Sequence, residues 1–199
     1  MPPHAEIGIA KRSYRDAPSC GDDGAVWQQD GRMVACLVDG LGHGPRAQEA
    51  ARAALAYVAD HLPVPLPELF KGCSAAIRDT RGVSMSVVVI DEASGRQSYA
   101  AIGSNRALVI SGSSALHLPN NHGVVGGAYQ RLIVHAQPLG ADTLLVLSSD
   151  GVREPISLDR YGTAERREMP QLAARLLRDW ATGRDDAIVM VLRYRRTDD

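Results

Sequence analysis

Apolar residues recur along this chain with two periods, one typical of strands and one typical of helices. The continuous apolar run at 33–38 predicts a buried strand. Alternating and β-branched residues predict further strands at 6–11, 25–27, 83–91, 97–103, 106–111, 131–136, 143–147 and 187–194. Most of the regular structure is therefore expected to be β-sheet.

Three segments have apolar positions at helical spacing, and they predict helices at 45–61, 68–79 and 165–180. Pro45 suits the first turn of the first helix, whose apolar face is rich in alanine. A proline-rich linker joins this helix to the next one. We expect both helices to pack on the same face of one sheet.

The buried strand is joined to the first helix by a glycine-rich stretch, Val38-Asp39-Gly40-Leu41-Gly42-His43-Gly44-Pro45. Glycine lets a ligand or an ion approach the backbone closely, so little side-chain bulk surrounds Asp39 at the end of its strand. Asp39 has two interpretations. It caps the helix that follows, or it binds a hard cation together with a backbone carbonyl oxygen.

Other carboxylates border apolar strands in the same way, and they are Asp22 or Asp23, Asp150, and Asp185 or Asp186. A hairpin turn at Asp30-Gly31 should pair two strands and bring Asp39 to the same sheet edge as the Asp22-Asp23 pair. Any single Asp is also explained as a turn residue, because Asp and Gly dominate turns. Four clustered anions would repel one another, and their hard oxygen donors favour Mg²⁺ or Mn²⁺ as neutralising cations. Two such ions, held about 3.5–4 Å apart, can activate a shared water and bind a phosphoryl oxygen.

The overall charge gives no reason to expect a polyanionic partner. Lys and Arg number 22 and Asp and Glu number 23, so we expect neither nucleic acid nor a membrane as a partner. The N-terminal residues lack the apolar segment of a signal peptide, and Cys20, Cys36 and Cys73 show no CxxC spacing. We therefore expect a cytoplasmic protein with reduced thiols that folds as a single domain over 1–199.

Four motifs resemble, in order, the metal-site motifs of the protein phosphatase 2C (PPM) superfamily. They are Cys20-Gly21-Asp22, Val38-Asp39-Gly40-Leu41-Gly42-His43-Gly44, Ser148-Ser149-Asp150-Gly151-Val152-Arg153-Glu154 and Arg184-Asp185-Asp186-Ala187-Ile188-Val189. The match is nearest to the bacterial branch typified by stage II sporulation protein E. The length of the chain is similar to that of the stand-alone stressosome phosphatases.

The resemblance implies an α+β fold, a four-layer α-β-β-α sandwich of two face-to-face antiparallel sheets flanked by helices. It implies hydrolysis of phosphoserine or phosphothreonine in a protein by water that two Mn²⁺ or Mg²⁺ ions activate. Carried over position by position, the ligands are Asp39 as the bridge, the Gly40 carbonyl, Asp22 on one ion, and Asp150 and Asp185 on the other. Asp22 is preferred to Asp23, and Asp185 to Asp186, because each holds the matching motif position.

One position departs from the pattern of relatives from nucleated cells. Those relatives carry a histidine two residues after the bridging Asp as a proposed general acid, where this chain has Leu41. His43 follows two residues later and is a candidate for proton transfer beside Asp39, with an exposed loop residue as the alternative. Lys11 and Arg12 are candidates for phosphate contact, although solvated surface residues are the simpler interpretation.

The sequence thus predicts a metal-dependent serine/threonine phosphatase. By analogy with the family, its partner is a phosphorylated regulatory protein, such as a STAS-domain anti-sigma antagonist or a stressosome component. The alternative is a non-catalytic regulatory module of the same fold, which carboxylates at all four motifs argue against. A two-metal nuclease is disfavoured because the charge balance predicts no basic groove for a polyanion.

Overall fold

Two antiparallel sheets lie at the centre of the structure, a computed structural model that describes residues 4–62, 64–112, 114–162 and 166–195. The described residues form the strands β1 (His4–Arg12), β2 (Asp22–Gln29), β3 (Arg32–Gly40), β4 (Val83–Asp91), β5 (Arg96–Ile102), β6 (Arg106–Ser111), β7 (Ser114–Leu118), β8 (His135–Pro138), β9 (Asp142–Ser148) and β10 (Ala187–Arg195). Sheet A has the order β1-β10-β9-β6-β7, and sheet B has the order β2-β3-β4-β5-β8.

Helices cover the outer face of each sheet. The helices of the described residues are α1 (Pro45–Asp60), α2 (Leu66–Ala76) and α3 (Met169–Trp180). The first two pack on sheet B, as predicted, and α3 packs on sheet A. A third apolar cluster fills the space between the two sheets. The predicted four-layer α-β-β-α sandwich is confirmed.

The apolar run at 33–38 lies on β3, which is buried on both faces. Val34, Cys36 and Val38 face the helices of sheet B. Met33, Ala35 and Leu37 face the opposite sheet, because successive side chains of a strand point to opposite faces. A strand buried on both faces has a continuous apolar sequence rather than an alternating one, which explains the pattern.

The alanine-rich face of α1 lets the helix approach sheet B closely. Its buried alanines are Ala47, Ala50, Ala51 and Ala54. A Cβ atom on Gly40 would lie 2.2 Å from the carbonyl oxygen of Ala47, so only glycine fits at that strand end. The small residues on both elements therefore fix where the end of β3, and with it Asp39, lies under the helix.

The predicted hairpin between β2 and β3 is confirmed. Asp30 and Gly31 both have positive φ, 51° and 71°, as a tight two-residue turn requires. The turn sets the register of the two strands, in which Asp22 lies directly opposite Asp39.

Several predicted boundaries differ from the structure. The strand predicted at 131–136 is wrong in position, because β8 begins at His135; the preceding Ile133 N–H donates to the side chain of Asn121 at 2.8 Å. β7 was not predicted, since its exposed Ser-Ala-Leu-His-Leu sequence has a weak apolar pattern. The second helix ends at Ala76, three residues before the predicted end. The third helix begins at Met169, and the predicted start at 165 lies outside the described residues.

The three cysteines are buried and form no disulfide within the described residues. Burial raises the pKa of the Cys73 thiol to about 12, which keeps it protonated and unreactive at neutral pH. In the described part of the chain, none of the helices has the length and apolar character needed to cross a membrane.

The contact between β1 and α3 depends on Gly8. A Cβ atom at this position would lie 1.9 Å from the carbonyl oxygen of Met169. We expect Gly8→Ala to lower the free energy of unfolding by about 1–3 kcal/mol, because the helix must move off the sheet. Urea denaturation measures the change. Gly127→Ala is the control, since its Cβ would lie 3.3 Å from Val124 and needs only a small adjustment. Equal stability of the two variants would contradict this packing.

Candidate metal centre

Two pairs of carboxylates lie at one end of the sandwich, one pair on each sheet. In sheet B, Asp22 and Asp39 face each other across β2 and β3. In sheet A, β9 and β10 are antiparallel neighbours, so Asp150 just after β9 and Asp185 just before β10 lie at the same end. The strand topology thus brings together carboxylates that lie far apart in the sequence.

Ser149 connects the two sheets at this end. Its hydroxyl donates a hydrogen bond of 2.5 Å to the carboxylate of Asp22. The same hydroxyl oxygen accepts a hydrogen bond of 3.1 Å from the backbone N–H of Ile188. Ser149 is fully buried, so these contacts hold Asp22 in place from the opposite sheet. The sequence analysis included Ser149 in a motif but gave it no role; its position directly before Asp150 was the available signal.

The carboxylate of Asp186 is occupied by hydrogen bonds from the backbone. It accepts from the N–H of Tyr14 at 2.6 Å and from the N–H of Gly21 at 2.7 Å. Asp186 is only 2% exposed, whereas Asp185 is partly exposed and accepts from the N–H of Asp186. The two neighbours therefore differ in function: Asp186 fixes the loop before β2, and the structure leaves Asp185 as the better candidate ligand.

Asp23 points away from the acidic end. Its carboxylate forms an ion pair with Lys11, with 2.7 Å between Nζ and Oδ1, on the face of β2 opposite to Asp22. This geometry favours Asp22 over Asp23 as a candidate ligand. Lys11, a candidate for phosphate contact in the sequence analysis, is thus paired with the carboxylate of Asp23.

Three glycines allow backbone segments to meet around the carboxylates. A Cβ on Gly151 would lie 1.9 Å from the carbonyl oxygen of Asp186, so the turn after Asp150 can pack directly on the start of β10. A Cβ on Gly21 would lie 2.7 Å from the Cβ of Ala47 and 3.3 Å from the carbonyl oxygen of Gly40. The Gly40 carbonyl thus lies among the loops that carry the acidic residues.

The electrostatics of this end are unfavourable for four negative charges. Burial, and then the charges of Asp22, Asp150 and Asp185, raise the pKa of Asp39. Burial also raises the pKa of Asp22, and the hydrogen bond from Ser149 opposes that effect. None of the four carboxylates takes part in an ion pair with Lys, Arg or His within the described residues. A bound cation would remove this repulsion.

The donor set fits a hard divalent cation. Four carboxylates and a backbone carbonyl, without a neighbouring thiolate, suit Mg²⁺ or Mn²⁺ better than Zn²⁺. Within the described ranges, no three His, Cys, Asp or Glu side chains are already spaced as a metal site. This spacing is expected, because the carboxylates repel one another when no cation lies between them. Asp150 is exposed and Asp185 partly exposed, so both have room to rotate toward a cation beside Asp22 and Asp39.

His43 lies in the exposed loop between β3 and α1. Its ring contacts the ring of Tyr14, with 5.3 Å between the centroids and a tilt of 41°. The backbone N–H of Tyr14 binds Asp186, so His43 lies near the acidic end, but none of its described contacts is with a carboxylate of the cluster. A proton-transfer role for His43 stays a prediction. Arg12 is exposed, and its guanidinium lies 3.8 Å from the point that a Cβ atom on Gly183 would occupy.

Comparison with known proteins gives one family and several relatives. The profile of the family Stage II sporulation protein E (SpoIIE) matches residues 29–195. A curated relative, the phosphoserine phosphatase RsbX of Bacillus subtilis (strain 168), is 23% identical over 191 residues. The match covers 95% of this chain and 94% of that protein.

Solved structures share the fold over nearly the whole chain. One was described with the bacterial stressosome, a modular system adapted to control secondary messenger signaling. It has a TM-score of 0.88 and 25% identity, and the match covers 96% of this chain and 100% of that chain. RsbX in complex with magnesium has a TM-score of 0.84 and 20% identity, with 96% of each chain covered.

Charge repulsion at the acidic end predicts a measurable gain in stability when one charge is removed. In EDTA at alkaline pH, we expect Asp39→Asn to raise the free energy of unfolding by about 1 kcal/mol. The raised pKa of Asp39 gives the sign of the effect. Because the folded state favours the protonated carboxyl, the free energy of unfolding is lowest above this pKa and rises as the pH falls below it.

Denaturant unfolding of Asp23→Asn is the matched control, because it removes a neighbouring carboxylate that is paired with Lys11. This variant should be unchanged or slightly less stable, by up to about 1 kcal/mol. If Asp39→Asn is destabilised as much as Asp23→Asn, the carboxylates do not repel one another in the folded protein.

Proposed function

Because the chain belongs to the SpoIIE family of serine/threonine phosphatases, we propose that it hydrolyses phosphoserine or phosphothreonine in a protein with two bound Mg²⁺ or Mn²⁺ ions. One observation carries this proposal: four carboxylates from two sheets lie at one end, where Asp22 is buried and bonded to Ser149 of the opposite sheet, and none of the four has a basic partner among the described residues. A relative is named a phosphoserine phosphatase, and a protein of similar fold was solved with magnesium.

The proposal assigns roles to the residues of the acidic end. Asp39 would bridge both ions, with the Gly40 carbonyl as a further ligand of one of them. Asp22 would hold one ion, and Asp150 and Asp185 the other. When bound, such ions make hydroxide available near neutral pH and offset the charge of the phosphoryl oxygens.

The surrounding residues act on these ligands rather than on the substrate. The hydrogen bond from Ser149 favours the ionised form of Asp22, the form that binds metal, and fixes its orientation. Asp186 holds the backbone at Tyr14 and Gly21, which keeps the loop before β2 against the start of β10. Both residues therefore position the centre without belonging to it.

The exposed surface at this end suits a protein substrate. Asp150 and His43 are exposed, and Leu41, two residues before His43, is 38% exposed. A phosphorylated side chain on the surface of another folded protein can reach such an open site. We propose a phosphorylated regulatory protein as the substrate, either a STAS-domain antagonist or another stressosome component. The similarity to RsbX and to a structure from the bacterial stressosome supports this choice.

The catalytic proposal predicts Mn²⁺-dependent release of phosphate from a phosphoserine peptide. Activity should disappear in EDTA and fall by at least about 100-fold in Asp39→Asn, since a direct ligand should matter at least as much as the groups that orient it. Asp23→Asn should keep most of the wild-type activity. A wild-type protein that is inert and binds no Mn²⁺ by calorimetry would overturn the proposal in favour of a regulatory binding module.

The neighbours Asp185 and Asp186 should give opposite phenotypes. We expect Asp185→Asn to lose Mn²⁺ affinity and activity while its unfolding free energy is maintained in EDTA. Asp186→Asn should lose about 1–3 kcal/mol of stability, because one of two backbone N–H groups loses its acceptor. Calorimetry with Mn²⁺ and urea unfolding separate the two effects. The reverse pattern would make Asp186 the ligand.

A further inference from the structure

The side chain of Arg81 lies against the glycine-rich loop that follows Asp39. Its Nη1 donates long hydrogen bonds to the carbonyl oxygens of Leu41, at 3.4 Å, and His43, at 3.5 Å. A Cβ on Gly42 would lie 2.9 Å from the same nitrogen, so the loop leaves room for the guanidinium. Arg81 is exposed, and a guanidinium has five N–H donors. Most of these donors have no partner within the described residues and are available to another molecule.

Arg15 reaches the same loop through two ring contacts. Its guanidinium carbon lies 4.9 Å from the centre of the Tyr14 ring. The Tyr14 ring in turn contacts the ring of His43, a residue of the loop that Arg81 touches. These four residues, Arg15, Tyr14, His43 and Arg81, therefore form a continuous strip at the rim of the acidic end, which we name the arginine strip.

The backbone that presents Arg15 is strained. Arg15 and Asp16 both have positive φ, 52° and 54°, in the left-handed region that residues other than glycine seldom adopt. The N–H of Tyr14 holds this turn to the buried carboxylate of Asp186 at 2.6 Å. Such strain persists only where the surrounding structure enforces it, and it is concentrated at binding and active sites. The fold thus keeps Arg15 beside the acidic end despite the strain.

Neither arginine of the strip forms an ion pair within the described part of the chain. Asp16 is exposed next to Arg15 in the sequence but does not pair with it. At the opposite end of β3, by contrast, Arg32 pairs with Asp91 at 3.5 Å. Arginines that bound among the metal ligands would pair with those carboxylates, so the strip lies beside the candidate ligands. Two positive charges without counter-charges favour an acidic partner.

We propose that the arginine strip binds acidic residues that flank the phosphorylated side chain of the substrate. The inference rests on the proposed phosphatase function and adds a substrate class to it, a protein whose phosphoserine or phosphothreonine lies among Asp and Glu. A guanidinium binds a carboxylate through two parallel hydrogen bonds, which suits Arg15 and Arg81 to this role. Tyr14 and His43 lie between the two arginines in the chain of contacts, so each arginine would bind its own carboxylate.

Two other roles of Arg81 make a different prediction. If its guanidinium bound the phosphoryl group itself, or only fixed the loop after Asp39, its loss would slow the hydrolysis of all phosphomonoesters to the same extent. A contact with flanking carboxylates affects only the substrates that carry them. The ratio of the activities on two matched peptides therefore separates these roles.

The test compares a phosphoserine peptide that has two Glu on each side of the phosphoserine with a peptide that has Gln at the same positions. With Mn²⁺ at low salt, we expect kcat/KM to be at least about 10-fold higher for the Glu peptide, mainly through KM. This preference should shrink in about 0.5 M NaCl, which screens exposed charges.

The variants Arg81→Gln and Arg15→Gln should each reduce the preference for the Glu peptide by about 3-fold, and the double variant should nearly abolish it. Both side chains are exposed, so the variants should fold as the wild type does. Arg32→Gln is the matched control, because it removes the same charge at the opposite end of β3 and should keep the full preference.

Fluorescence anisotropy with the unphosphorylated peptides repeats the comparison without hydrolysis. The wild type should bind the Glu peptide about 10-fold more tightly than the Gln peptide, and the same variants should lose this difference. Equal binding and equal kcat/KM for the two peptides, or a preference that both arginine variants retain, would overturn the inference. If the wild type hydrolyses neither peptide nor para-nitrophenyl phosphate, the phosphatase proposal fails, and the anisotropy measurement still decides whether the strip binds acidic segments.

Discussion

Repulsion between carboxylates at one end of the sandwich is the constraint on which the rest of the structure depends. The register of β2 and β3 places Asp22 opposite Asp39, and burial makes their charges costly. The fold tolerates this pair because other interactions hold the strands in place. These include the hydrogen bond from Ser149 and the apolar cluster between the sheets. Stability elsewhere thus maintains a charge arrangement that would not persist alone.

The acidic end also depends on very close backbone contacts. Gly40 lies under the start of α1, and Gly151 lies against the carbonyl of Asp186. A side chain at Gly40 would push α1 off the end of β3, and one at Gly151 would push the turn after β9 off the start of β10. The Asp-Gly pairs therefore combine two requirements, since the aspartate supplies the charge and the glycine allows the close backbone contact beside it.

The two ends of the sandwich treat buried polar groups differently. At the acidic end, Asp22 and Asp186 accept hydrogen bonds from a hydroxyl or from backbone N–H groups. On β5, Gln97 and Tyr99 are more isolated, with no described partner for the polar atoms of their side chains. Polar groups that are fully satisfied make a structure rigid, whereas unsatisfied buried ones lower its stability.

The sequence by itself determined most of the strands and helices and the identity of the acidic motifs, and the resemblance carried by those motifs implied the four layers. Periodicity marked β3 and α1, because burial on both faces or on one helical face leaves a clear apolar pattern. It did not reveal β7, an exposed edge strand whose side chains need no apolar pattern. The motif resemblance preferred Asp22 to Asp23 and Asp185 to Asp186, and only the tertiary structure supplies a physical difference within each pair. Within each pair the residue type is the same, and the difference lies in contacts with Ser149, Lys11, Tyr14 and Gly21 that strand pairing and loop packing bring from distant parts of the chain.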